Sequence, residues 1–282
     1  MYAARVVLDS INEAGDRLTT IEATIPLPVW NEVLTHRAFS RNAASSRAIP
    51  LSKQIQRVED DPFIPVYWGR NQSGMQAREE LSPEKRVLAI QDWLRGRDFA
   101  VMQATSLGAI GIHKQLASRV LAPYAWITAL ISATEWDNFL SLRQDWAIPS
   151  GVTEVREMYN PDFPAQPELQ VAAYMVREAL LQSSPTLLRM GDWHLPLLRE
   201  DDFYGDLLLL QKVSTGRAAR ISYLTHDGRR DLVADVRLHD QLETDRHWSP
   251  FEHIAEADPH GRRVRQGNFH GWRPYQIGRA HV

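Results

Sequence analysis

The chain of 282 residues contains no cysteine. That absence excludes disulfides, thiolate-ligated zinc, iron–sulfur clusters and any mechanism built on a cysteine nucleophile. Lysine is nearly absent too: of 32 basic residues only Lys53, Lys85, Lys114 and Lys212 are lysines, which leaves 28 arginines. No stretch approaches the roughly 18 uninterrupted apolar residues of a membrane span, and no charged segment followed by an apolar one opens the chain. A soluble, cytoplasmic protein without membrane contact is therefore expected. The net charge of −3 supplies no broadly basic surface, which argues against nonspecific nucleic-acid binding. What is present is 44% hydrophobic and 24% charged residues, the balance of a globular domain. A chain of this length buries a stable core without covalent staples.

The arginine excess has two readings: a GC-rich genome, or planar forks placed for phosphates and carboxylates. Strands are expected over Val6 to Leu8 and Thr19 to Ile25, joined by a polar turn near Gly15. Pro28 opens a short helix from Val29 to Thr35. His36 to Pro50 is polar and reads as a functional loop. Ser82 caps a helix running to about Ala104, and another helix follows Gly111. The apolar run Ala125 to Ser132 reads as a strand, although a buried helical segment shows the same pattern. Further helices are expected from Thr134 to Arg143, Gln166 to Leu181, Asp206 to Ser222 and Asp231 to Leu242, with an inserted loop from Gln144 to Pro164. The last six residues, Ile277 to Val282, match one reading frame of a common sequencing adapter, so residues 277–282 are expected to be a non-native tail.

Thr35 to Arg47 packs three arginines, three serines, one asparagine and one histidine into one loop. Guanidinium forks, hydroxyls and backbone amides at a helix exit suit phosphates and carbonyls; a solvated surface loop has the same composition. The spacing Thr35-His36-Arg37-x7-Ser45 resembles the Arg-His-Arg-x7-Ser signature of the flavin-dependent thymidylate synthases. Other blocks resemble that family as well: Arg119-Val120-Leu121-Ala122-Pro123, Asn138-Phe139-Leu140-Ser141-Leu142-Arg143, Ala165-Gln166-Pro167-Glu168-Leu169, Ala219-Arg220-Ile221-Ser222-Tyr223 and His247-Trp248-Ser249-Pro250-Phe251-Glu252-His253.

The resemblance implies an α/β fold over residues 1–276, one domain with a mixed or antiparallel sheet and a helical bundle, assembled as a homotetramer. It implies FAD held by His36, Arg37, Asn138, His247, Ser249 and Glu252. It implies dUMP held by Ser45, Ser46 and Arg47, with Arg119 at its phosphate and Arg143 at the uracil. Arg143 would there be the catalytic group, polarising the base so that C5 becomes a carbon nucleophile. The carbon donor would be methylenetetrahydrofolate and the reductant NADPH; no metal is implied. Each residue also has a plainer reading: Arg119 and Arg143 near helix ends offset a helix dipole, Asn138 is an ordinary helix residue, and His247 and His253 cap a turn.

Three departures stand out. Thr35 replaces the first signature arginine, with Arg41 the nearest substitute, and Ala43 replaces a common acidic residue. The insertion from Gln144 to Pro164 is long. The blocks at 219–223 and 247–253 follow the signature instead of preceding it, the order of a circular permutation, which is tolerated when termini lie close together. An altered pyrimidine substrate, or nucleotide binding without catalysis, are the rival expectations.

Overall fold

A computed structural model describes residues 1–202, 205–221, 230–258, 264–277 and 279. Alternation along two central strands organises the molecule. β1 (Ala3–Asn12) and β2 (Arg17–Pro26) form an antiparallel hairpin. Asn12 closes its turn, accepting from the amides of Ala14 and Asp16, while Gly15 takes a φ of 86° that only glycine adopts readily. β3 (Ser40–Ala43) pairs antiparallel with β4 (Trp126–Ala133), and β4 pairs antiparallel with β2. β5 (Thr186–Leu188) lies parallel to β1, so the sheet β3-β4-β2-β1-β5 is mixed.

Ile21, Ala23 and Ile25 of β2 and Ala129, Ile131 and Ala133 of β4 share one face. Against them pack α1 (Trp30–Leu34), α5 (Asp137–Arg143) and α6 (Pro167–Gln182), forming the main core. A satellite core joins α2 (Leu51–Asp60) to α3 (Pro83–Ala109) through Val58, Ala100, Ala104 and Leu121; α4 (Lys114–Ala117) and a 3-10 segment (Ser118–Tyr124) then lead into β4. Beyond the opposite sheet face stand α7 (Leu207–Ala219), α8 (Leu232–Thr244) and a small sheet of β6 (Trp193–His194), β7 (Ala255–Ala257) and β10 (Trp272–Pro274); β8 (Arg265–Gln266) and β9 (Phe269–His270) form a hairpin beside it. α7 and α8 approach so closely that a Cβ on Gly216 would lie 2.2 Å from the Asp235 carbonyl oxygen. The buried Arg217 beside it is matched by Asp202 and Asp235.

The opposite sheet face is polar at its centre. Ser10 Oγ meets His194 Nδ1 at 2.8 Å, and His194 Nε2 meets Thr20 Oγ1 at 2.8 Å. Thr20 Oγ1 meets Ser132 Oγ at 2.6 Å, and Ser132 Oγ meets His253 Nδ1 at 2.8 Å. All five side chains are buried.

The expected α/β class, the central strands and the strand over the apolar run 125–132 are present. Two elements differ from expectation. The polar loop from His36 to Pro50 contains the strand β3, whose pairing comes from β4 and not from its own pattern. The unassigned segment after it is the helix α2. The helix expected to stop near Ala104 continues to Ala109, and the one expected from Thr134 begins at Asp137. Ser222 and Tyr223, at the end of one family-like block, lie outside the described residues, as does most of the 277–282 tail. Among the described residues no helix is long and apolar enough to cross a membrane.

Burial lowers the pKa of both His194 and His253 to about 3. An unfolded histidine titrates near 6.5, so below that pH the unfolded chain binds two more protons than the folded one. Stability should be full above pH 6.5 and fall as the pH drops towards 3, by up to about 1.4 kcal/mol per pH unit for each histidine. Urea unfolding at pH 7.5, 6.0 and 5.0 measures this; equal midpoints would show that these imidazoles are not held neutral.

Candidate functional site

The candidate site is built around β3 and the turn before it. Arg41 folds back over the end of α1, donating to the carbonyls of Phe39 at 2.7 Å, Leu34 at 2.9 Å and His36 at 3.4 Å. Such carbonyls have no intrahelical donor. Arg41 is thereby committed to the turn, and Thr35 only returns its hydroxyl to the Glu32 carbonyl at 2.6 Å. The turn seats His36 against Phe39 and Phe139, with ring centroids 5.8 and 5.0 Å away.

Arg143, at the end of α5, donates from Nε to His36 Nε2 at 3.4 Å, and its Nη1 lies 3.6 Å from Glu32 Oε2. An imidazole that accepts at Nε2 is neutral and carries its proton on Nδ1. Burial, followed by the charges of Arg143 and Arg41, lowers the His36 pKa in keeping with that form.

At the start of β3, Ser40 meets the 3-10 turn Ser249–His253. Ser40 lies beside the Glu252 carboxylate and accepts from Asn268 Nδ2 at 3.1 Å. Burial raises the Glu252 pKa against the opposing effects of Ser40 and Arg41. Arg246 ends α8 in the left-handed region, with φ 57°, as the His247 amide bonds the Leu242 carbonyl. His247 and Ser249 are left exposed beyond it.

Past the other end of β3, the Ala44 amide continues the pairing to the Thr128 carbonyl at 2.8 Å. A tight turn follows, in which the Ala48 amide bonds the Ser45 carbonyl and the Arg47 amide bonds Ser45 Oγ. Gln54 of α2 secures that turn by donating to the carbonyls of Ser46 and Ile49, both at 2.9 Å. Beside it opens a cavity of about 580 Å³, whose polar lining includes Ser46, Gln54, Arg57, Ser118 and Arg119 together with Asp60 and Asp61. Leu27, Leu121 and Trp126 contribute apolar wall.

The structure thus brings His36 to Arg143, Glu252 to Ser40 and Arg41, and Ser46 to the same cavity as Arg119. Ser45 and Arg47 are exposed on the turn leading into it. Arg37 and Asn138 are exposed, and neither side chain has a partner among the described residues. None of His36, Arg37, Asn138, Arg143, His247, Ser249 or Glu252 lines the cavity. Arg57 and Ser118 are cavity residues that no motif marked. The signal available for Arg57 was a helical period, Leu51, Ile55 and Val58, that places Gln54 and Arg57 side by side. A separate group, His239, Asp240 and Glu243, has the spacing of metal ligands, but Lys212 and Arg279 already occupy its carboxylates.

No protein-family model and no curated protein matches the chain. Among solved structures, the chain is similar to the UMP/dUMP methylase PolB from Streptomyces cacaoi bound with 5-Br dUMP, at TM-score 0.49 and 14% identity over 64% of this chain and 90% of that one. The same methylase bound with 5-Br UMP matches at TM-score 0.43 and 16% identity, over 59% of this chain and 69% of that one. The likeness is remote, and no residue role passes from those proteins to this chain.

Because the Arg143 charge depresses His36, removing it should raise the His36 pKa. A histidine titration followed by NMR in Arg143→Met should move the His36 midpoint upward from its parent value. An unmoved midpoint would show that the two side chains are not in contact in solution.

Proposed function

We propose that the protein is a flavin-dependent enzyme methylating a pyrimidine nucleotide, in the manner of the thymidylate synthases that its blocks resemble. Its reaction is then dUMP to dTMP, with methylenetetrahydrofolate giving the carbon and NADPH the reducing equivalents. The observation that carries this reading is convergence. Three blocks far apart in sequence, at 35–47, 138–143 and 247–253, meet around one four-residue strand and the turn before it, although nothing in local sequence requires them to. His36 of the signature touches Arg143 of the Asn-Phe block. Ser40, inside the signature, lies beside Glu252 of the Ser-Pro-Phe-Glu-His block. Ser46 shares its cavity with Arg119.

Within this reading the cavity holds only the phosphate end of the nucleotide, with Arg119 at the phosphate and Ser45, Ser46 and Arg47 at its mouth, and the pyrimidine extends out of it towards Arg143. His36, Arg37, Asn138, His247, Ser249 and Glu252 hold FAD. The donor set suits that cofactor: it combines four exposed polar side chains, Arg37, Asn138, His247 and Ser249, with a neutral imidazole and a partly buried carboxylate of raised pKa, groups matched to ring amides and a pyrophosphate. FAD supplies hydride transfer when bound. Arg143 is pre-oriented by Glu32 and His36, and a fixed guanidinium stabilises charge developing on the pyrimidine.

The homotetramer belongs to the same reading. α3 buries few side chains for its length, and Leu88, Phe99 and Met102 lie exposed on one helical face. A second copy would cover them. One observation favours a related substrate instead: with Arg41 committed to backbone carbonyls, nothing on this turn replaces the charge absent at Thr35. Modification of another pyrimidine nucleotide, dCMP among them, is therefore the second reading.

The visible spectrum of protein reconstituted with FAD tests the core of this reading. Flavin bands should remain after desalting and shift when dUMP is added, whereas colourless protein counts against a flavoenzyme. Turnover of dCMP alone would select the second reading. Arg143→Ala should lower turnover about 100-fold or more, as loss of one preorganised charge does. Phe99→Glu combined with Met102→Glu should reduce the particle mass in light scattering; an unchanged mass would place the subunit contact elsewhere.

A further inference from the structure

The 580 Å³ cavity is lined by an arginine outside every family-like block, Arg57, and by two carboxylates, Asp60 and Asp61. Arg57 lines it from the last turn of α2, and its side chain has no hydrogen bond or ion pair among the described residues. The two carboxylates on the cavity wall have other contacts: Asp60 accepts from Gln56 at 2.8 Å, and Asp61 is paired with the amino group of Met1. Packing around the Arg57 guanidinium lowers its pKa, although the residue as a whole is exposed.

A second, independent observation points into the same space. Ser118 lines this cavity and is 5% exposed, and its buried Oγ has no hydrogen-bond partner. A buried hydroxyl without a partner costs about 1–3 kcal/mol. Arg119 follows it directly and is likewise unpaired among the described residues. Two guanidiniums and a hydroxyl, arriving from α2 and from the 3-10 segment before β4, form a donor set for a tetrahedral dianion. Arginine forks recognise phosphate oxygens in pairs.

We propose that Arg57 is a second phosphate-binding arginine, acting with Arg119 and Ser118, and that it makes the cavity select a nucleoside monophosphate over the nucleoside. The proposal rests on the nucleotide reading above and adds to it a specificity residue outside every family-like block.

Isothermal titration with dUMP, dCMP, deoxyuridine and deoxycytidine separates the two. The parent should bind a monophosphate far more tightly than its nucleoside, and inorganic phosphate should compete. Arg57→Met should weaken the monophosphate about 10- to 100-fold, the size of one charge-assisted hydrogen bond, while the nucleoside shifts less than twofold. Arg57→Lys should recover part of that loss, and Ser118→Ala should weaken the monophosphate alone. Because Arg57 has no partner in the free protein, the melting temperature of Arg57→Met should match the parent. Monophosphate affinity in Arg57→Met within twofold of the parent would overturn the proposal while leaving the nucleotide reading intact. A parent that binds none of the four ligands would overturn both.

Discussion

Thr20 and Ser132 stand opposite each other on β2 and β4, and their hydroxyls meet at 2.6 Å inside the protein. The rest of the architecture depends on that contact being satisfied on both sides. A polar pair in a buried sheet face is tolerated only when each group finds further partners. His194 and His253 supply them, one from the small sheet and one from the turn that carries Glu252. The polar centre therefore fixes how the second layer docks: β6 must place His194 over β2, and the Ser249–His253 turn must lie over β4. The turn that brings Glu252 to Ser40 is positioned by the residue next to it. Burial keeps both imidazoles in the neutral form.

β3 shows how a short polar segment becomes the meeting place of the site. It is an edge strand of four residues, Ser-Arg-Asn-Ala, and gains little from apolar burial. Its side chains are spent on tying neighbouring elements: Ser40 to Glu252 and Asn268, Arg41 to the end of α1, Asn42 to the Ala218 carbonyl at 2.7 Å. Position in space, and not order in the chain, decides which blocks meet there. That holds although the blocks from 219 onward follow the signature in sequence.

Legibility from sequence followed the source of each signal. β2 and β4 carry β-branched and apolar residues and were readable as strands. β3 was not, because its stability comes from pairing with β4 and its residues resemble a loop. α2 carries a helical period at Leu51, Ile55 and Val58, yet no side chain caps its N-terminus, where Pro50 stands, so the usual start signal is absent. In the site, motif spacing singled out His36, Arg143 and Glu252, which the structure joins to β3 or to the turn before it. Ser118 and Arg57 were invisible because their significance is a missing partner. Spacing along a chain does not report that.

The arginine excess now divides into two groups with different physics. Arg17, Arg41 and Arg217 each spread a planar fork over acceptors within the chain: Asp9 and two carbonyls, three carbonyls at a turn, and Asp202 with Asp235 and the Leu197 carbonyl. A lysine ammonium could not bridge those sets in one plane. Arg37, Arg47, Arg57 and Arg119 belong to the other group, with no side-chain partner among the described residues, as do the exposed Arg78, Arg189 and Arg237. Genome composition accounts for the choice of arginine over lysine, and the cavity wall that carries Arg57 and Arg119 also carries Asp60 and Asp61, so charges of both signs face that space.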